Sequence, residues 1–562
     1  MLLSSNGEKV YVGNTAAISM LEFLRNTMRR QAGPSPFTES RQRHMMLEVG
    51  VRRSLSAGKT DTKFSDYLAN SERFTLIQLF QAVSNGLLCI DVDNIFDRGG
   101  IGDADDIDSR NSMPQDDLVA VYCMIAIGAQ CRGRDEEDFK CSIAYFAEAQ
   151  RLSFSGMLLD PSVAMVRNFL LMAFYMFCVC RRNTAMMYLG VSSRAATILG
   201  LHLPEIDEAL PPKIRSMRAQ TWKSLRVLDL LCNAILGRPT AIPGIRPGSH
   251  SNGESPYTMA EGFLEQLRSW AQALPEELRQ SLTEGSHGFQ TQTHQSSCIG
   301  KIHVTCCYYF GVMLTTRQFL VTEAITLLQR QPSSQGGHRQ ESAGPSRANL
   351  GEKLQQLSKA CVSAAAYLTQ ICFDAGNSEL LLGNMCILQA WVFAAGLVLG
   401  LSTLVQSDAL GCDVQLRLAS SRGVLARLSR LSPQAGRYHT ILTDFAEAIE
   451  SYHRKRQQGR EVPPAGLLLE RILLPADVAS NEGTENMQQP FQSASKSRES
   501  AAQQAIDDVE NPLDGMLWSQ MASTMFSPSI TDEVGFQLLW DDYVPAVEME
   551  EGMLGGDFTT TL

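Results

Sequence analysis

From residue 114 to residue 456, apolar side chains return every third or fourth position in one segment after another, and no stretch alternates apolar and polar residues between hairpin turns. That spacing puts apolar groups on one side of an α-helix, so the chain must bury helix against helix. The expected class is all-α, a multi-helix domain of antiparallel helical hairpins. Asp116 and Asp117 stand where a helix N-terminus favours negative charge, and Leu118, Val121, Tyr122 and Ile125 follow at the spacing of an amphipathic helix. Asp160-Pro161 reads as an N-cap with proline behind it, opening a run through Phe169, Leu170, Phe174 and Phe177. The next helix starts near Asn183, carries Tyr188, Val191, Ala195 and Ile198 on one face, and stops at Gly200. So short a connection requires the two to pack as a hairpin. Further helices are expected over 215–236, 262–273, 301–329, 351–372, 384–405, 414–429 and 439–456.

Residues 385–405 carry no charge, and about twenty such residues are long enough to cross a bilayer. Gln389, Ser402, Thr403 and several alanines and glycines dilute the hydrophobicity, and no cluster of Lys or Arg flanks one side. The segment reads as the buried central helix of a large helical domain, with no membrane partner.

Organisation before residue 111 is looser. A short helix is expected between Thr15 and Arg30, then Gly33-Pro34-Ser35-Pro36, then a segment with Phe74, Ile77, Phe80, Gln81 and Ser84 at helical spacing, then a Gly/Asp loop over 97–108. The expected division is 1–110 as a linker-like region with short helices, 111–475 as the helical body, 476–506 as a linker, and 507–562 as an acidic tail. Residues 331–348, rich in Ser, Gln and Gly, read as a disordered insertion.

The net charge of -11 is concentrated: residues 507–562 hold twelve acids and no Lys or Arg, which leaves the rest of the chain nearly neutral. A neutral body lacks the basic field that phosphate binding needs, so DNA contact by this chain is expected only indirectly. Of fourteen cysteines none precedes Cys89 and no two are spaced C-x-x-C; Cys178/Cys180 and Cys306/Cys307 lie among apolar residues and read as free buried thiols. The N-terminus is polar, without the pattern of a secretory leader, and an intracellular protein is expected.

Several of these segments together resemble the fungal-specific transcription factor domain, the regulatory middle region of binuclear zinc cluster transcription factors. The resemblance rests on Tyr145-Phe146-Ala147-Glu148-Ala149-Gln150-Arg151-Leu152; on Ala185-Met186-Met187-Tyr188-Leu189-Gly190, Arg194-Ala195-Ala196 and Leu199-Gly200-Leu201-His202; and most strongly on Arg218, Trp222, Asp229 and the turn Gly237-Arg238-Pro239 with Ile242. Trp270, Leu274-Pro275, Tyr308-Tyr309 and Thr316-Arg317 look similar too, and Tyr11-Val12-Gly13-Asn14-Thr15 resembles the segment that comes after the zinc cluster and its linker. It extends over roughly residues 8 to 460. Family members usually begin with six spaced cysteines holding two zinc ions, which this chain does not supply before Cys89. Either the cluster was lost or Met1 is an internal start; zinc is a cofactor only in the second case, and no cofactor is expected within this chain.

Read physically, Trp222, Leu225, Leu228 and Leu236 line a buried stripe, Arg226 and Asp229 are spaced to pair, and Gly237 with Pro239 ends the helix. These motif residues are read as structural. No phosphate-binding loop, zinc-protease motif or nucleophile elbow occurs, so no enzyme is expected. His294, His303, Cys298, Cys306 and Cys307 form the one local group with metal-ligand residue types, and read as a partly buried helix with incidental thiols.

In the tail, Leu513, Met516, Leu517 and Trp518, then Phe536, Leu539 and Trp540, are set among acids. The last three fall at i, i+3 and i+4, so one induced helical turn presents them together to a groove on a coactivator. The resulting expectation is a nuclear transcription regulator, an activator of a fungal metabolic or biosynthetic gene cluster. Its expected partners are coactivators and a second copy or a related transcription factor. The alternative is a helical scaffold or cofactor that pairs with related factors without meeting DNA.

Overall fold

The computed structural model describes residues 2–3, 9–39, 68–98, 113–155, 160–203, 209–241, 255–274, 276, 295–329, 345–405 and 411–458. The described chain is helical apart from a two-residue antiparallel pair, Leu2–Leu3 with Lys9–Val10. The helices are α1 (Ala17–Ala32), α2 (Pro36–Glu39), α3 (Asn70–Ser84), α4 (Val92–Arg98), α5 (Gln115–Arg132), α6 (Glu136–Phe154), α7 (Val163–Cys178), α8 (Arg182–Ile198), α9 (Pro212–Leu236), α10 (Pro256–Ala273), α11 (Gln295–Gln329), α12 (Pro345–Asn377), α13 (Cys386–Val405), α14 (Gly411–Leu428) and α15 (Pro433–Gln458). The chain divides into two compact units, Met1–Ile449 with Ser529–Leu562, and Glu450–Pro528. Of the second, the described part is the end of α15. The first holds the remaining helices.

Consecutive helices pair as hairpins: α5 with α6, α7 with α8, α11 with α12 and α13 with α14. The connections of the first two pairs, residues 133–135 and 179–181, are too short for a helix to do anything but turn back on its predecessor. Two helices form the centre. From Val119 to Cys131 every residue of α5 is buried, because α3, α6 and α7 cover it on different sides. It is therefore not the amphipathic helix its first turns suggest. In α13, Cys386 to Leu404 are all buried against α11, α12 and α14. It is the one described helix long and apolar enough to cross a membrane, and the protein itself covers it.

Glycines set two close approaches. A Cβ on Gly128 of α5 would stand 1.9 Å from the Leu76 carbonyl oxygen of α3. On α13, Gly396 and Gly400 form one groove a turn apart, filled by Leu442 and Phe445 of α15; Cβ atoms there would stand 2.3 Å from each side chain. Phe445 also stacks on Phe37, and Tyr438 on Phe393, at centroid separations of 4.5 and 4.0 Å.

Buried polar groups fix the register of the hairpins. The Arg167 guanidinium of α7 donates to the Asp117 carboxylate at 2.9 Å and to the Asp116 carbonyl, and the Asn168 amide shares that carbonyl. Arg132 grips Asp138 across the α5–α6 turn, where the Asp135 side chain caps α6 through the Asp138 N–H.

Local expectations fail where packing chooses a different face. The cap of α7 is Ser162, whose hydroxyl accepts from the Met165 N–H, rather than Asp160. Phe74 is exposed because α3 packs through Leu76, Ile77, Phe80 and Val83, and Ile198 is exposed at the end of α8. Helix α12 begins at Pro345, inside the expected insertion, of which residues 331–344 lie outside the described residues.

Candidate functional site

The motif residues of α9 are struts between helices. Near its start, Arg218 donates from Nη2 to the Leu199 carbonyl at 3.0 Å, satisfying an oxygen at the end of α8 that has no partner inside its own helix. One turn on, Trp222 is half-buried rather than part of a buried stripe, with the His202 ring 6.1 Å away and the Arg226 guanidinium 6.0 Å over its face. The segment Leu199-Gly200-Leu201-His202 is thus held onto α9, with Gly200 at φ +68° closing α8.

Asp229 is buried, and its carboxylate holds the far end of the helix. Oδ1 accepts from Asn233 Nδ2 at 2.8 Å, and Oδ2 accepts from the backbone N–H of Ala241 at 3.0 Å. The Arg226 guanidinium lies over the Trp222 ring. Gly237, at φ +61°, ends α9 in the left-handed region; its own N–H and that of Arg238 both donate to the Asn233 carbonyl. Pro239 comes next, exposed, where the helix has already stopped.

The turn then does something its sequence does not announce. The Gly13 N–H donates to the Leu236 carbonyl at 3.2 Å, and a Cβ on Gly13 would stand 1.6 Å from the Gly237 oxygen. Two glycine backbones are in contact, and no side chain fits between them. Arg238 reinforces the joint: Nε donates to the Tyr11 carbonyl at 3.0 Å and Nη2 to Asn183 Oδ1 at 2.9 Å, at the head of α8. From α11, the Arg317 guanidinium donates to the Thr15 carbonyl, and burial pushes that guanidinium down from its usual range. Ser19 Oγ returns to the Gly13 carbonyl at 2.8 Å as α1 begins. Residues Tyr11 to Thr15, the α9 turn, the head of α8 and the middle of α11 therefore meet at one place.

The joint is mechanical. It contains no nucleophile beside a base, and the described cysteines are free. Burial holds the Cys123 and Cys361 thiols up at about 12, so they stay protonated and inert. His303 points Nδ1 at the Asn85 carbonyl, 2.8 Å away, and burial pulls it down to about 4; it is neutral and committed to that contact. Among the described residues no group of three or more His, Cys, Asp or Glu is placed to hold a metal.

Residues 94–247 match the sequence profile of the fungal specific transcription factor domain. Over that span the chain is similar to the domain. The matched span runs from α4 to beyond the α9 turn, and so contains Arg218, Trp222, Asp229, Gly237, Arg238 and Pro239. The other half of the joint, Tyr11 to Thr15 and Arg317, lies outside the domain match. The chain is also similar to "Filamentous growth regulator 27" of Candida albicans, 19% identical over 510 residues, an alignment that takes in 83% of this chain and 62% of that protein. The chain thus spans less than two thirds of that relative's length. No solved structure matches it.

Which contacts sequence reasoning missed is plain from the partners. Asn183 and Arg317 bind through pairings that no local pattern encodes, whereas Gly237 carried a visible signal as a helix-ending glycine before proline. The tail residues Trp518, Phe536, Leu539 and Trp540, and Ile242 and His294, lie outside the described residues.

Proposed function

We propose that this chain is a nuclear regulator of transcription whose helical body serves as a rigid mount and whose acidic tail recruits coactivators. The observation that carries the reading is the match of residues 94–247 to the fungal specific transcription factor domain, with its motif residues built into the anchorage of Tyr11 to Thr15. By the resemblance, that N-terminal segment corresponds to the stretch next after the zinc cluster and linker in such regulators. Fixing it to Gly237, Arg238 and Arg317 gives a DNA-binding unit a defined exit from the body. The DNA address itself comes from a zinc cluster outside this sequence or from a partner, a second copy or a related factor. Similarity to a filamentous growth regulator supports the regulatory role; control of a metabolic or biosynthetic gene cluster is the reading offered for the target genes.

Activation is assigned to residues 507–562. Twelve acids surround Phe536, Leu539 and Trp540 in sequence, and the i, i+3, i+4 spacing of the three suits a coactivator groove that takes them up as one helical turn. The test is a tethered reporter. The full chain and residues 507–562 are each fused to an unrelated DNA-binding domain, with and without the three residues changed to Ala. The reading expects activation from the tail that is lost in the triple variant. Silence from both fusions, with the proteins present at equal level, would overturn the activator and leave the scaffold.

A further inference from the structure

A cavity of about 450 Å³ opens below the α7–α8 turn, between the end of α5, the start of α6 and the α14–α15 connection. Its size falls within the roughly 300–1,000 Å³ of small-molecule sites. Phe139, Ile143, Met176, Val179 and Leu431 supply an apolar wall. The turn that closes it is unusual: Cys180 sits at φ +61°, a left-handed conformation that a non-glycine residue rarely takes, and it ends α7 so that Val179, Cys180 and Arg181 all line the space.

Two polar features are set into that wall. Gln130 and Tyr175 line the cavity while almost wholly buried. Their shared neighbour Ser142 has one proton and three oxygens in reach: the Ala126 carbonyl at 2.9 Å, Gln130 Oε1 at 3.1 Å and the Tyr175 hydroxyl at 3.3 Å. Gln130 and Tyr175 thus line the cavity as polar groups joined through Ser142. Arg181 and Arg430 also line it, no carboxylate does, and neither guanidinium has a side-chain partner among the described residues. An apolar chamber lined by the half-buried Arg181 and the exposed Arg430, with no acid among its described lining residues, suits an anion with an apolar body.

We propose that this cavity binds a small organic acid, its carboxylate held by Arg181 and Arg430 and its apolar body packed on Phe139, Ile143 and Leu431. The site makes the chain a receptor for such an acid, and its existence does not depend on the transcriptional reading.

The test uses the purified full chain and a matched pair of probes, decanoate and 1-decanol, titrated by calorimetry. Saturable binding of decanoate at least tenfold tighter than that of decanol is expected. Arg181→Gln with Arg430→Gln should remove that preference and leave decanol unchanged. Ile143→Trp, or Val179→Phe if the first variant does not fold, should abolish binding of both probes while circular dichroism stays native. No saturable decanoate binding, or binding unaffected in a folded cavity-filling variant, would overturn the proposal, as would an equal preference for the alcohol. Because the readout is binding alone, a silent reporter does not bear on it.

Discussion

Gly13 and Gly237 touch backbone to backbone: a single Cβ on the first would fall 1.6 Å from the carbonyl oxygen of the second. Neither backbone can yield, since one is hydrogen-bonded to Leu236 and the other closes α9 at φ +61°. This contact joins the start of the chain to the end of the motif helix.

Gly13→Ala should therefore dislodge Tyr11 to Thr15 and lower stability by about 1–3 kcal/mol, the usual cost of overpacking. Hydrogen exchange of the amides from Gly13 to Met20 should rise, with α5 unaffected. Gly190→Ala is the control. That glycine is exposed within α8 with nothing within 4 Å of the added carbon, so the variant should gain up to about 1 kcal/mol from helix propensity. Equal behaviour of the two variants in thermal unfolding would rule out the joint.

Asp229 holds the same joint from inside. Replacing it with Ala removes the acceptor of Asn233 Nδ2 inside α9 and of the Ala241 N–H in the exposed segment beyond its end. Hydrogen bonds to a charged group contribute roughly 1.5–3 kcal/mol; Asn233 Nδ2 keeps its bond to the Asp229 backbone carbonyl and the exposed Ala241 N–H can turn to water, so the loss should be about 1.5–3 kcal/mol. The expected signature is a lower denaturant midpoint with an unchanged slope, together with faster proteolysis after Pro239. A midpoint within error of the parent chain would show that the carboxylate is dispensable.

The helical hairpins were legible in the sequence because periodicity and stop signals are local: Gly200 and Gly237 end their helices where expected, and 384–405 is the core helix its dilution with Gln, Ala and Gly implied. Faces were read less well. Whether Phe74 or Leu76 points inward depends on which side α5 and α11 approach, and that is not written in α3. The joint itself was legible only in halves. Tyr11 to Thr15 and Gly237 to Pro239 were both singled out by resemblance, but their meeting, and the parts of Asn183 and Arg317 in it, arise from how separate hairpins stack.

The glycine groove of α13 makes a sharper packing prediction. Gly400→Ala places a methyl 2.3 Å from the Phe445 ring, which is stacked on Phe37 and has nowhere to move. Although alanine favours a helix, the overlap should outweigh that gain and cost about 1–3 kcal/mol. The double variant Gly400→Ala with Phe445→Leu should recover part of the loss. Additive destabilisation in a double-mutant cycle would mean the two positions do not meet.

His303 gives the protein an acid-sensitive lock between α3 and α11. Its Nδ1 serves the Asn85 carbonyl, and the Asn85 side chain donates to Ser296 Oγ at 2.9 Å, so the end of α3 is tied to the first turns of α11. Burial lowers the imidazole from 6.5 to about 4, so the folded state disfavours its proton more than the unfolded state does. The associated stability is full above pH 6.5, where both states are neutral. It falls as pH drops toward 4, where the unfolded chain takes up a proton that the folded chain refuses, and levels off below that. A shift of this size corresponds to about 3 kcal/mol at most. Thermal unfolding between pH 7.5 and 4 should show this loss, and His303→Gln should flatten the part of the slope between 6.5 and 4 while lowering stability at neutral pH. A parallel pH profile in the variant would assign the acid sensitivity to other groups.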